Sequence, residues 1–137
     1  MKIVSACLAG INCQWNWKSK PCEKVIELIK KGQAIPVCPE QLWGLTTPRS
    51  PAELKNGKVI TKDWVDLTSQ FEKWSQEVLK IAKAFNCNEA ILKARSPSCG
   101  VGKVYDWTFS GKLIDWDGVT AKLLKTNNIK VKTEDEI

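Results

Sequence analysis

Histidine is absent from all 137 residues of the chain. That excludes triad-type nucleophiles activated by imidazole and every zinc site that counts a histidine among its ligands. There is no Cys-x-x-Cys pair either, so paired zinc knuckles and thioredoxin-like chemistry lack their usual frame. No segment approaches the roughly 18 consecutive apolar residues that a membrane helix requires, so no membrane partner is expected. Met1-Lys2-Ile3-Val4-Ser5-Ala6-Cys7 passes straight into a strand-like run without an apolar signal segment, and the expected location is the cytoplasm. Repeats, low-complexity tracts and linkers are lacking, and the length suits one domain over residues 1–137.

The chain does contain six cysteines and a net charge of +6. In a cytoplasmic protein such cysteines are not read as disulfides, which leaves thiolate chemistry without imidazole. The lysines are spread along the sequence except for a basic stretch from Lys122 to Lys132. That charge suits a solvated basic surface or attraction to an anionic ligand such as a nucleotide or RNA.

The local patterns predict alternating strands and helices. Ile3 to Ala6 reads as a first strand ending at Cys7, and Ala34 to Cys38 as a second, stopped by Pro39. Between them, proline opens and Gly32 closes a helix over Pro21 to Lys31. Glu40 to Pro51 carries Gly44, Pro48 and Pro51 and is expected to be an ordered loop. Asn56-Gly57 predicts a hairpin within Glu53 to Lys62. Asp66 or Thr68 caps a long helix running to Phe85. Ala90 to Lys93 is a third strand leading into Ser96-Pro97-Ser98-Cys99-Gly100. A second hairpin turns at Ser110-Gly111, a helix covers Val119 to Leu124, and a last strand covers Ile129 to Val131. The expected fold class is α/β, with a largely parallel central sheet, flanking helices and two β-hairpin additions.

Three cysteines share one context: Cys7 ends the first strand, Cys38 ends the second, and Cys99 lies in a turn just past the third. In parallel sheets ligands gather at the carboxyl ends of strands, so adjacent strands would bring these sulfurs to one edge. A buried cysteine is ordinarily a small hydrophobe, and Cys22 and Cys87 fit that description. Cys13 is close enough in sequence to the first of the three to be a candidate spare ligand or redox bystander, against the ordinary reading of a packing residue. Three soft donors without imidazole suit a cuboidal iron–sulfur cluster with one iron left open.

The chain resembles the bacterial thiouracil desulfidase family, long listed only as a domain of unknown function. The resemblance is carried by Val4-Ser5-Ala6-Cys7-Leu8-Ala9-Gly10, Pro36-Val37-Cys38-Pro39-Glu40, Pro48-Arg49, Ser96-Pro97-Ser98-Cys99-Gly100 and Asp117-Gly118-Val119-Thr120. It implies a [4Fe-4S] cluster on Cys7, Cys38 and Cys99, and a non-redox desulfuration that converts a thiolated uracil to uracil. The expected partner is a thiolated pyrimidine base, a nucleoside or a tRNA carrying one. Water must lose a proton and the ring nitrogen or leaving sulfur must gain one. Glu40 is the candidate base, and Ser98 and Ser96 are candidate proton relays. Arg49 and Lys93 are candidates to hold a carbonyl or phosphate, and Tyr105 and Asp106 to stack on and hydrogen-bond the ring. Other readings are sulfur transfer or carriage on the same cluster, and a small basic RNA-binding module with a structural metal.

The sequence departs from the family in its tryptophans. Trp17, Trp43, Trp64, Trp74, Trp107 and Trp116 stand where the resembled family typically carries glycine. Three explanations stay open: an aromatic platform for bases, natural divergence, or UGA codons that the source organism reads as glycine. UGG codons at these positions would exclude the last.

Overall fold

The computed structural model describes all residues from Met1 to Ile137. Its first strand, β1 (Lys2–Ser5), is followed by a 3-10 turn over Ala6–Ala9 and by helix α1 (Glu23–Lys30). Strand β2 (Ala34–Val37) runs into a one-turn helix α2 (Pro39–Leu42). A hairpin of β3 (Ala52–Lys55) and β4 (Lys58–Thr61) precedes the long helix α3 (Thr68–Ala84) and strand β5 (Glu89–Leu92). A second hairpin, β6 (Lys103–Tyr105) and β7 (Leu113–Asp115), leads to helix α4 (Val119–Thr126) and strand β8 (Lys130–Thr133).

Four strands form a fully parallel sheet in the order β2-β1-β5-β8. Because successive side chains point to opposite faces, Ile3, Ala90 and Leu92 pack against α3 and α4, while Val4 and Ile91 pack toward α1. Both faces are covered, which is why β1 and β5 read as nearly continuous apolar runs. Pro36 is tolerated because β2 is an edge strand, where a missing N–H costs no ladder bond. The hairpins are fastened to α3 by a separate small core of Leu54, Val59, Phe71, Trp74 and Val104.

The expected class and hairpins match this architecture. Two details differ. Cys7 lies inside the 3-10 turn rather than at a strand end, and α2 takes up the first three residues of the segment expected to be a loop. In each, proline or glycine punctuation marks a break in the strand but does not say whether the next turn is helical.

The tryptophans divide by geometry. Trp17 and Trp64 have φ of 62° and 64°, in the left-handed region that glycine adopts without strain. Trp74 is instead fully buried in the middle of α3, its ring tilted 42° to that of Phe71 with centroids 4.5 Å apart, and its indole Nε1 has no acceptor. Backbone freedom therefore accounts for two of the six positions. Left-handed geometry costs a side-chain-bearing residue about 1–2 kcal/mol, partly offset by glycine's greater entropy when unfolded. Trp17→Gly is expected to raise stability by roughly 0.5–1 kcal/mol, read from the denaturant midpoint of the cluster-free protein. An unchanged or lower midpoint would show that Trp17 makes compensating contacts.

Candidate functional site

The sheet order puts a topological switch between β1 and β5, since the chain moves outward to β2 and then crosses to the far side. Such a switch opens a crevice at the carboxyl ends of the strands. The crevice here is a cavity of about 600 Å³ whose wall includes Cys7, Cys13, Cys38 and Cys99.

Each thiol is held by a tight local structure. The Cys7 turn is tied down by the Lys20 N–H, which donates to the Cys7 carbonyl at 2.9 Å, and by the Cys22 N–H to Leu8 at 2.8 Å. Cys38 stands immediately before α2, with Pro39 in the first helical position, where proline's missing N–H is harmless. The Cys99 loop is clamped by the start of α4: the Val119 and Thr120 N–H groups donate to the Pro97 and Ser98 carbonyls at 3.0 and 2.8 Å. This close approach requires glycine. A Cβ on Gly118 would lie 2.5 Å from the Ser98 carbonyl oxygen, and one on Gly100 would lie 2.7 Å from that of Ser96.

The thiols are not equivalent. A hydrogen bond with the Cys13 thiol is the largest influence on both Cys7 and Cys38 and holds both below the ordinary thiol value. Cys38, which also accepts from the Gln41 N–H, is brought down to about 7. Cys13 is pushed up by those same contacts. Burial pushes Cys99 up to about 12, against a smaller opposing bond from Ser5. A bound metal deprotonates a coordinating thiol outright, so burial of Cys99 does not bar it from ligation.

The remaining candidates separate clearly. Glu40 and Ser96 line the cavity. Glu40 Oε2 accepts from Arg49 Nη2 at 3.0 Å, and no protein donor reaches its other oxygen. Ser96 Oγ accepts from the N–H groups of Ser98 and Cys99 at 3.2 and 3.1 Å, which leaves its own proton free to donate. Tyr105 also lies on the wall.

Ser98, expected to relay protons, points the other way. It is buried, outside the cavity wall, and its hydroxyl is bonded to Thr120 Oγ1 at 2.8 Å, clipping the Cys99 loop to α4. Asp106 is a turn residue whose Oδ1 accepts from the Thr108 N–H at 3.0 Å and from the Thr108 hydroxyl. Arg49 lies behind the cavity wall, donating to Glu40, to Thr47 Oγ1 and to the Cys13 carbonyl at 2.9–3.0 Å. It orients Glu40, and its guanidinium, whose buried Nε has no partner, does not line the cavity. Membership of a motif does not tell which way a turn residue points.

Lys93 does line the cavity, but its ammonium is engaged by Glu134 Oε1 and the Ala94 carbonyl, both at 2.9 Å. Glu134 Oε2 also accepts the Ala94 N–H at 2.7 Å. The sequence reading gave Glu134 no role, since nothing local connects a residue beyond β8 to the end of β5. Burial pushes the Glu134 carboxyl up, yet the bonds from Lys93 and Ala94 together outweigh it and leave it below its ordinary 4.5. A depressed carboxyl contributes stability that is present above the unfolded value and lost as pH falls through the folded one. Glu134→Gln is expected to cost about 2 kcal/mol at neutral pH. The gap to wild type should shrink as pH drops below 4.5, as urea midpoints at several pH values would reveal. A gap independent of pH would refute the ionic contribution.

Parallel strands delivering thiols, a carboxylate and a hydroxyl to one crevice define an α/β protein built for sulfur or metal chemistry. The family model described as 2-thiouracil desulfurase matches residues 3–136, and the chain belongs to that family of enzymes. It is 40% identical to the uncharacterized protein YbbK of Bacillus subtilis (strain 168), over all of this chain and 97% of that protein. Among solved structures it is similar to the [4Fe-4S]-dependent thiouracil desulfidase TudS, with 36% identity and a TM-score of 0.93. That match covers 98% of this chain and 91% of the other. No helix is long and apolar enough to cross a membrane.

Proposed function

We propose that this chain converts a thiolated pyrimidine to its oxo form, releasing hydrosulfide, with a [4Fe-4S] cluster held by Cys7, Cys38 and Cys99. The observation that carries the reading is the convergence of those thiols on one cavity wall together with Glu40 and Ser96. The donor set fits the group. It is three soft thiols lining one cavity in a chain without imidazole, which is the donor chemistry such a cluster takes. The likeness to TudS, described as [4Fe-4S]-dependent, supports the cluster as the group held.

When bound, the cluster supplies a thiophilic, Lewis-acidic iron for the substrate's sulfur. The protein supplies the proton transfers. Arg49 fixes Glu40 so that its free oxygen can take a proton from water as the water oxygen bonds to the thiocarbonyl carbon. The Ser96 hydroxyl, polarised by the two N–H groups it accepts from, donates to the ring nitrogen or departing sulfur. Glu40 then returns its proton through solvent to reprotonate Ser96, and the added hydroxyl loses its own proton as the carbonyl forms. The net change is thiocarbonyl plus water to carbonyl, hydrosulfide and one proton released to solvent, with no electrons exchanged. A free base or nucleoside matches the size of the cavity, and the positive net charge would also assist a nucleotide or tRNA.

The test is anaerobic reconstitution followed by incubation with 2-thiouracil, 4-thiouracil, thiouridine or thiolated tRNA. The expected result is loss of the thione absorbance with one hydrosulfide released per oxo product. Fully iron-loaded protein that leaves all four untouched would overturn the proposal.

A further inference from the structure

Glu53 was assigned no role by the sequence reading, yet it stands on the wall of the same cavity. It lies on β3, 8% exposed, and one carboxylate oxygen, Oε1, accepts the Phe109 N–H at 2.9 Å. The other oxygen has no donor in the protein. Around it, Pro51, Ala52, Tyr105 and Phe109 offer apolar and aromatic surface from both hairpins.

We propose, building on the desulfuration reading, that Glu53 selects the substrate by accepting a hydrogen bond from the N3–H of the pyrimidine ring. The N3–H is the natural target because it neighbours both C2 and C4, the carbons that carry sulfur in 2- and 4-thiouracil. It also survives when N1 bears a ribose, so one acceptor serves base and nucleoside alike. The flat ring meets apolar walls, and the acidic oxygen meets its donor edge. Such pockets are mostly apolar with a few placed polar groups that fix orientation. A buried acceptor left unpaired also rejects an analogue lacking the donor.

Burial raises the Glu53 carboxyl from its ordinary value, opposed by the Phe109 N–H and aided by the nearby Asp106 charge. A partly desolvated carboxylate gains more from an incoming N–H than a fully solvated one does. A purely structural role would be limited to holding Phe109, whose φ of 55° lies in the left-handed region. Glu53→Gln keeps an oxygen acceptor for Phe109 but loses the carboxylate that would face the ring.

The test uses uracil and 3-methyluracil binding to the cluster-free protein, alongside turnover of 2-thiouracil and its N3-methyl derivative by the loaded enzyme. Wild type is expected to bind uracil at least tenfold more tightly than 3-methyluracil. In Glu53→Gln that ratio should collapse toward one, KM for 2-thiouracil should rise at least tenfold, and iron content should match wild type. A wild-type preference for uracil below twofold, measured without any variant, would overturn the proposal. So would a Glu53→Gln protein that keeps the wild-type ratio. Loaded wild type inert toward every thiolated pyrimidine would overturn the desulfuration reading and this one with it. Active wild type with an unaffected Glu53→Gln variant would remove this inference alone.

Discussion

Cys38→Ser is expected to emerge from anaerobic reconstitution with little iron and with turnover at background. The neighbouring Cys13 thiol and the Gln41 N–H bring the Cys38 thiol down to about 7, which favours its thiolate form. Thiolate is the form that binds iron. A serine hydroxyl is a harder donor and far less acidic, and removing one of three ligands leaves the group held on two. Outer partners of a metal site cost roughly 10–100-fold when removed, and a direct ligand should exceed that. The measurements are iron and sulfide content, visible absorbance and loss of the thione band. Cys22→Ser is the control, because Cys22 lies outside the cavity wall. It should load and turn over like wild type. A Cys38→Ser protein with full iron and near-normal turnover would refute the ligand assignment.

Glu40→Gln should separate chemistry from assembly. The amide keeps the shape and can still accept from Arg49, so iron loading and KM are expected to stay within about twofold of wild type, while loss of a positioned base lowers kcat by roughly 10²–10⁴-fold. Arg49→Lys is the companion. A lysine retains charge but not the planar fork that spans Glu40, Thr47 and the Cys13 carbonyl. It should lower kcat by about tenfold, because a misoriented base loses part of its advantage. If Glu40→Gln kept its kcat, the base would have to be sought elsewhere on the wall. If it lost iron instead, Glu40 would be supporting Cys38 rather than acting on water.

The Cys13 thiol links these two experiments. It lies beside the thiols of Cys7 and Cys38 and lowers both, and the Cys13 backbone carbonyl accepts from Cys38 Sγ at 3.9 Å and from Arg49 Nη2 at 2.9 Å. The segment that sets ligand acidity is thereby fastened to the residue that orients Glu40. Sequence proximity singled out Cys13 as a spare ligand or bystander; its position between two ligand candidates is consistent with a hydrogen-bonding role.

What the sequence determined by itself was the class of fold and the kind of chemistry. Period-2 and period-3.6 patterns and turn dipeptides are local properties, so strands and helices could be read from the first and both hairpins from Asn56-Gly57 and Ser110-Gly111. The absence of histidine and the placement of Cys7, Cys38 and Cys99 just beyond buried strands narrowed the chemistry to sulfur ligands. Only the tertiary structure decided which polar side chains face the cavity. Ser96 and Ser98 are two residues apart, yet one lines the crevice and the other clips α4. Lys93 meets Glu134 across 40 residues of intervening chain, as Ala94 does through the same carboxylate. Glu53 reaches the cavity because its hairpin folds over the strand ends. Such meetings follow from strand order and the packing of distant segments, which no local pattern encodes.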